Sequence, residues 1–189
     1  HRIFQMRIYC RSATRTRNFF RQGNRGAPGD LEDPELALAH LYRGDSYRLL
    51  EKYSEALSDL DRTIELNPQN AWAIALRGEV YRMQAEYEKA LADLDLAIEL
   101  DPEPTVSVSM RGATYLRMGR LQQALADLSL AIELDPQNAW ALTHRAEVHQ
   151  LSGRHEEALN DLDRAVELDP DRAGNLEHAA SVYEQMGHY

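Results

Sequence analysis

The sequence predicts an all-α protein built from tandem helical repeats, and three observations indicate this class. Prolines recur every 34 residues, at Pro34, Pro68, Pro102, Pro136 and Pro170. The segments that end at the last four prolines are nearly identical, reading ALSDLDRTIELNP, ALADLDLAIELDP, ALADLSLAIELDP and ALNDLDRAVELDP. Within each period, apolar residues are spaced by three and four, which places them on one face of a helix. A fixed period of this length is typical of stacked supersecondary units.

Each repeat is predicted to form a helix, a tight turn, a second helix and a stop. Gly119 and Gly153 fall at the break between the helices, where a left-handed residue commonly ends a helix. The Asp-Pro or Asn-Pro step ends the second helix, because proline lacks a backbone N–H and restricts the residue before it. Asn70 and Asn138 follow that step and are suited to cap the next helix. We therefore expect a repeat domain over 34–189, with repeats at 35–68, 69–102, 103–136 and 137–170 and a terminal half-repeat or capping helix at 171–189.

Three columns of residues keep their type from repeat to repeat and explain how the paired helices pack. The first helices carry a small residue followed three positions later by a ring, and the second helices carry an alanine. The columns are Gly44, Gly78, Gly112 and Ala146; Tyr47, Tyr81, Tyr115 and His149; and Ala56, Ala90, Ala124 and Ala158. This 34-residue helix–turn–helix pattern resembles the tetratricopeptide repeat family over 35–170. One pair of helices has too little core to stand alone, so neighbouring repeats must stack.

The resemblance implies both a fold and a function. Arrays of this family coil into right-handed superhelical solenoids whose first helices line a concave groove, and they serve as non-enzymatic scaffolds or adaptors for other proteins. We therefore expect a protein or peptide segment as the partner, no cofactor and a cytoplasmic location. The alternative is a regulatory or self-assembling module of a longer protein.

An arginine precedes the small residue of every first helix, where the family usually has leucine. This Arg-Gly version resembles one common in bacterial proteins. An aspartate follows each arginine by 16 residues, on the partner helix of the same repeat. The predicted structural ion pairs are Arg43 with Asp59, Arg77 with Asp93, Arg111 with Asp127, and Arg145 with Asp161. The other interpretation is that the arginines form a basic ladder for a ligand. In the first interpretation, each partly buried Arg–Asp pair fixes the register of its two helices even where it adds no stability.

The columns expected to face the groove contain large apolar residues and two arginines. Tryptophan and methionine on a groove are suited to anchor a helix or an extended peptide. The candidate partner-binding residues are Trp72, Leu76, Arg82, Met83, Met110, Arg117 and Trp140. The alternative is that both tryptophans are core residues packed between adjacent repeats.

One well-known binding mode of the family is not expected here. Some members hold the terminal carboxylate of chaperone tails with a clamp of lysine, asparagine and arginine. The matching columns of this chain instead hold Leu41, Asp45, Leu76, Val106 and Met110. We therefore predict no binding of that kind.

The sequence contains few arrangements that could support catalysis. No glycine-rich phosphate loop and no Gly-x-Ser-x-Gly motif occurs, and Cys10 has no evident base as partner. A weak candidate for a divalent metal site is formed by His144, Glu147, Glu177 and His178, because imidazoles and carboxylates are common zinc ligands. The alternative is that these four residues are ordinary polar groups of the groove. We expect no enzyme and no metal.

Charge is distributed unevenly along the chain. Residues 1–29 hold seven arginines and no acidic residue, whereas the rest holds all 31 acidic and 14 of the 21 basic residues. The acidic body disfavours binding to a phosphate backbone. The segment 1–33 is therefore interpreted as a basic arm or linker. Because Pro34 shares the 34-residue spacing of the later prolines, the segment is alternatively interpreted as a decayed earlier repeat. A docking helix, a nucleic-acid-contacting arm and a transit peptide are the further alternatives.

Two features bear on assembly and membranes. The longest apolar run, Ala71 to Leu76, is too short to span a membrane. The last helix is either a solubilising cap or an open end that pairs with another chain. Homo-oligomers through the arm or through this end are therefore open alternatives.

Overall fold

Eight α-helices succeed one another in the part of the chain that the structure, a computed structural model, describes: residues 34–170, 179–182 and 184. The helices are α1 (Pro34–Leu49), α2 (Tyr53–Leu66), α3 (Ala71–Met83), α4 (Tyr87–Leu100), α5 (Thr105–Arg117), α6 (Leu121–Leu134), α7 (Ala139–Leu151) and α8 (His155–Leu168). Residues 179–182 and 184 are helical as well. Odd-numbered helices are the first, and even-numbered helices the second, of each predicted repeat. The basic arm over 1–33 and the residues 171–178 lie outside the described residues.

The turns between paired helices confirm the predicted left-handed residue. Gly119 and Gly153 have φ values of 71° and 72°. Glu51 and Ala85 occupy the same repeat position and also have positive φ, of 58° and 60°. A residue with a side chain is disfavoured in the left-handed region, so Glu51 and Ala85 adopt a backbone conformation that their residue types do not favour. The repeat position, more than the residue type, therefore sets the turn.

The predicted helix starts at Asn70 and Asn138 are also confirmed. Each side-chain oxygen accepts a hydrogen bond of 3.0 Å from a backbone N–H three residues later, at Ala73 and Ala141 respectively. These bonds satisfy donors that lack partners within the helix. The amide nitrogen of Asn138 also donates to Ser109 Oγ over 3.1 Å, which ties the start of α7 to α5.

The chain divides into two compact units, and the first ends at Glu86. Its core lies between α1, α2 and α3, where Leu41, Leu60, Leu76 and Val80 are buried and Tyr47 packs against them. The small-residue column has the predicted purpose: a Cβ on Gly44 would lie 3.1 Å from Leu60 Cγ. Helices α1 and α2 pack closely because that side chain is absent.

The second unit begins at Tyr87 and contains α4 to α8. Val108, Leu128, Leu142 and Val148 are buried in its main cluster. A Cβ on Gly112 would lie only 2.8 Å from Leu128 Cγ, so this position requires glycine more strictly than Gly44 does. A further cluster joins α7 and α8 to Val182, which is fully buried. None of the helices described has the length and apolar character needed to cross a membrane.

Candidate functional site

In the first unit, helix α3 presents two large apolar side chains at its surface. Trp72, the second residue of α3, is 42% exposed, and Met83, its last residue, is 40% exposed. Leu76 lies between them in sequence but is buried in the cluster with Leu60 and Val80. The expectation that Leu76 contacts a partner is therefore wrong, because its side chain is part of the core.

The charges on this part of the first unit are neutralised within their own helix. Arg82 donates from Nε and Nη2 to both carboxylate oxygens of Glu79, over 2.7 and 2.6 Å. Arg48 also pairs within its own helix, α1, where Nε and Nη2 both contact Oδ1 of Asp45, over 2.9 and 2.7 Å. Both carboxylates are buried. Arg82 therefore supplies little net charge to a partner, because Glu79 already occupies its guanidinium.

In the second unit, the candidate residues lie on α5 and α7. Val106 is exposed and Met110 is half-buried, whereas Leu116 is buried in the core. Trp140 is half-buried and its ring lies 3.9 Å from that of His144, centroid to centroid. His144 Nδ1 lies 2.9 Å from the Trp140 carbonyl oxygen, which fixes the orientation of both rings if that nitrogen donates. Trp140 is therefore less exposed than Trp72, and its ring is in contact with that of His144.

Arg117, at the end of α5, is the most accessible cation of the candidate set. Its side chain is 47% exposed, and its contact with Glu147 of α7 is long, at 3.3 Å. An exposed pair of this length contributes little to stability. The guanidinium of Arg117 is therefore held only weakly by Glu147.

The weak metal candidate is not assembled in the described part of the chain. His144 Nδ1 is directed at a backbone carbonyl, and Glu147 pairs with Arg117. Glu177 and His178 lie outside the described residues. Among the residues described, no group of three or more His, Cys, Asp or Glu side chains is placed to hold a metal.

The structure brings together three of the four predicted Arg–Asp pairs, and all three have the same bidentate geometry. In each, Nε donates to one carboxylate oxygen and Nη2 to the other. The Nε distances are 2.6 Å for Arg43–Asp59, 2.7 Å for Arg111–Asp127 and 2.7 Å for Arg145–Asp161. Arg77 and Asp93 belong to different units, and their pairing stays a prediction.

Sequence reasoning missed a second contact that the later arginines of this column make. Nη1 reaches back 16 residues to the preceding second helix, at Asp61 for Arg77 (2.8 Å), Asp95 for Arg111 (2.7 Å) and Ser129 for Arg145 (3.4 Å). Arg111 and Arg145 each hold two successive second helices together through one first helix. The signal was present in the sequence, because the backward spacing of 16 repeats as regularly as the forward one.

The ionisation of these groups follows their surroundings. Burial alone would raise the pKa of Asp59, but hydrogen bonds from Arg43 and from His40, at 2.8 Å, hold that pKa below its usual value. The hydrogen bond to Asp127 raises the pKa of Arg111, against the opposing effect of burial. Asp59 and Arg111 therefore remain charged at neutral pH.

His149 occupies the ring column and is buried, as predicted for a core residue. Its Nδ1 has no hydrogen-bond partner among the residues that the structure describes, and its Nε2 lies 3.8 Å from Asp161. Burial lowers the pKa of His149, the positive charge of Arg154 lowers it further, and Asp161 partly opposes both. The surroundings of His149 therefore favour the neutral form of its buried imidazole.

Comparison with known families identifies the class of protein. Models of the tetratricopeptide repeat match residues 37–70, 60–92 and 115–185, which together exceed half of the chain. The chain belongs to the tetratricopeptide repeat family, and its fold is the all-α repeat array that the sequence predicts. A search of curated proteins gave no match.

Solved structures of the same fold are numerous, and three are informative. TTC0263, a thermophilic TPR protein in Thermus thermophilus, has a TM-score of 0.74 at 23% identity, over 80% of this chain and 84% of that one. The first TPR of Spaghetti (RPAP3), bound to the HSP90 peptide SRMEEVD, has a TM-score of 0.60 at 26% identity, over 66% and 99%. YrrB, a TPR protein with an unusual peptide-binding site, has a TM-score of 0.58 at 22% identity, over 80% and 78%.

Proposed function

We propose that this chain is a non-enzymatic protein–protein interaction scaffold that binds a partner segment on the exposed faces of its first helices. The observation that carries the proposal is Trp72, a large ring held 42% exposed at the start of a regular helix. Met83 is exposed at the other end of the same helix. Aromatic residues on rigid elements dominate binding energy at interfaces, and methionine adapts to varied partners.

The charges around these residues indicate the chemistry of the partner. On α3 the partner meets apolar groups, because Arg82 is already neutralised by Glu79. On the second unit, Val106 and Met110 supply apolar surface, and Arg117 supplies an exchangeable cation. We therefore infer that α3 takes an apolar anchor of a partner, and that the second unit separately takes apolar groups and an acidic group that replaces Glu147 at Arg117.

The similarity to a peptide-bound TPR does not extend to its ligand. The columns that would supply a basic clamp hold Leu41, Asp45 and Leu76, all buried, together with Val106 and Met110. None of these side chains can donate to a terminal carboxylate. We therefore propose an internal segment of a partner, not the acidic terminus of a chaperone.

The test is selection of peptides from a random display library on the immobilised full chain. The chain contains only two tryptophans, so quenching of their fluorescence reports binding on α3 or α7 directly. We expect Trp72→Ala to weaken a selected peptide about tenfold or more, as is typical of an aromatic anchor. Arg117→Gln should weaken acidic peptides selectively.

The matched control is Leu50→Ala, which truncates an exposed apolar side chain in the turn after α1. This variant should bind the selected peptides as the natural chain does. Peptides that bind equally well to the folded Trp72→Ala and Met83→Ala variants would contradict the proposed site.

A further inference from the structure

The second unit carries an exposed apolar surface on its second helices, separate from the first-helix faces described above. It consists of Leu96 on α4, Leu130 and Leu134 on α6, and Leu168 on α8, and is called the leucine face below. Leu96 and Leu130 are each 42% exposed, and Leu134 and Leu168 are also exposed. Arg111, on α5, bonds to Asp95 and Asp127, so α4 and α6 are fixed to the same first helix.

The leucine face results from a change in one column of the repeat. The column reads Arg62, Leu96, Leu130 and Arg164, so the two middle repeats place leucine where the outer repeats have arginine. In the first repeat, Arg62 donates to Glu65, three residues later, over 2.8 Å. Replacing this arginine by leucine therefore exposes apolar area and also removes the partner of a carboxylate.

The second helices that carry the leucine face also carry exposed carboxylates that have no ion-pair partner among the described residues. Glu99 and Glu133 occupy the position of Glu65 in the two middle repeats, and Glu167 occupies it in the fourth. All three are exposed, as is Asp163, and none forms an ion pair with a residue that the structure describes. By contrast, the first-helix carboxylates Asp45 and Glu79 already have arginine partners. The helices of the leucine face therefore combine exposed apolar area with unpaired negative charges.

We propose that the leucine face binds the basic N-terminal segment, residues 1–29, of a second copy of this chain. That segment has seven arginines and no acidic residue, and it carries the large apolar residues Ile3, Phe4, Ile8, Phe19 and Phe20. Arginine suits the role because its planar group pairs with carboxylates and its stem covers apolar surface. The segment and the face thus complement each other in charge and in apolar content, and the result is self-association.

The test measures the association state of the full chain by sedimentation velocity across a range of concentrations. The decisive variant is Leu96→Arg/Leu130→Arg, which installs the arginine that the first and fourth repeats already carry at this position. Each new arginine can pair with Glu99 or Glu133 as Arg62 does with Glu65, so the variant should fold normally. We expect its self-association to be weaker by about tenfold or more, because the apolar contact is lost and like charges now face each other.

The matched control is Leu50→Arg/Leu151→Arg, which makes the same two substitutions at exposed leucines outside the face. This control should associate as the natural chain does. A synthetic peptide of residues 1–29 should dissociate the natural assembly, and sodium chloride at about 0.5 M should weaken it by screening charges.

The results that overturn the proposal are equally definite. The proposal is wrong if the natural chain stays monomeric at every concentration. It is also wrong if Leu96→Arg/Leu130→Arg associates as strongly as the natural chain. Loss of assembly in Trp72→Ala, with no loss in the leucine-face variant, would assign the segment to the first-helix face. The proposal does not depend on the groove, because the leucine-face variant keeps Trp72, Met83 and Arg117 intact.

Discussion

Replacing Arg111 by methionine tests whether the repeated arginine is a structural group. Arg111 bonds to the carboxylate of Asp127 through Nε and Nη2, over 2.7 and 2.9 Å, and to Asp95 through Nη1, over 2.7 Å. Methionine fills much of the same volume but donates no hydrogen bond. The substitution therefore leaves two carboxylates without their partner, and these differ in burial.

The magnitude follows from that difference. Removing one member of a buried ion pair costs about 3–5 kcal/mol, since the remaining charge is left uncompensated. The Asp127 side chain retains 11% exposure and that of Arg111 23%, so some water reaches the site. We therefore expect Arg111→Met to destabilise the chain by about 2–3 kcal/mol, somewhat less than the loss of a fully buried pair. Asp95 is 52% exposed, and its loss alone, in Asp95→Ala, should cost about 1 kcal/mol or less.

The double variant Arg111→Met/Asp127→Leu distinguishes the cost of an unpaired buried carboxylate from the cost of losing the arginine side chain itself. It replaces both charges by apolar groups, so no buried carboxylate remains, and its stability should lie within about 1 kcal/mol of the natural chain. Urea unfolding followed by circular dichroism gives the free energies. Hydrogen exchange of α5 and α6 is needed beside it, because repeat arrays can unfold in parts. Equal losses in the single and double variants, or a cost of Asp95→Ala equal to that of Arg111→Met, would refute the reasoning.

Two further predictions concern the turns and the buried histidine. Ala85→Gly should stabilise the chain by about 0.5–1 kcal/mol, because glycine adopts φ of 60° without steric cost. Gly119→Ala should destabilise the chain by about 1 kcal/mol, because alanine is strained at positive φ even though nothing lies within 4 Å of the new Cβ. Opposite or absent shifts in the urea midpoint would show that the backbone conformation is not the cause. For His149, a folded-state pKa below 6.5 means that the unfolded chain binds the proton more readily, so stability is complete above pH 6.5 and falls as the pH drops below that value. His149→Tyr should flatten this dependence in unfolding measured from about pH 7 to about pH 5, and an unchanged slope would assign it to other groups.

The repeat pattern was sufficient to predict the helices and their turns. A strict period of 34 residues aligns each position with its equivalents, so glycine at Gly119 and Gly153 predicts a left-handed residue at Ala85 and Glu51 too. The close approach at Gly112 is equally readable, because a column of small residues has a purpose only where two helices touch. These features depend on residues near one another along the chain.

The candidate site was predicted less well, for a physical reason. Leu76 and Leu116 share the apolar character of Trp72 and Met110, and a period cannot tell which side of a helix a neighbouring helix will cover. Both leucines are buried in the structure, so Leu76, a predicted contact residue, is part of the core. Burial depends on atoms contributed by helices far away in sequence, so it is decided only once the helices have packed.

The same distinction applies to the arginine column. The spacing of 16 residues indicated one aspartate for each arginine, because paired helices in one repeat face each other at a fixed register. The backward spacing to Asp95 is just as regular, but only the stacking of neighbouring repeats brings Asp95 within bonding distance of Arg111. Fold class, helix ends and turn geometry are therefore properties of the sequence pattern, since they arise from local periodicity and helix-ending residues. Which side chains remain exposed, and which charges are already paired, is decided by tertiary packing, because each such choice requires a second helix to be in place.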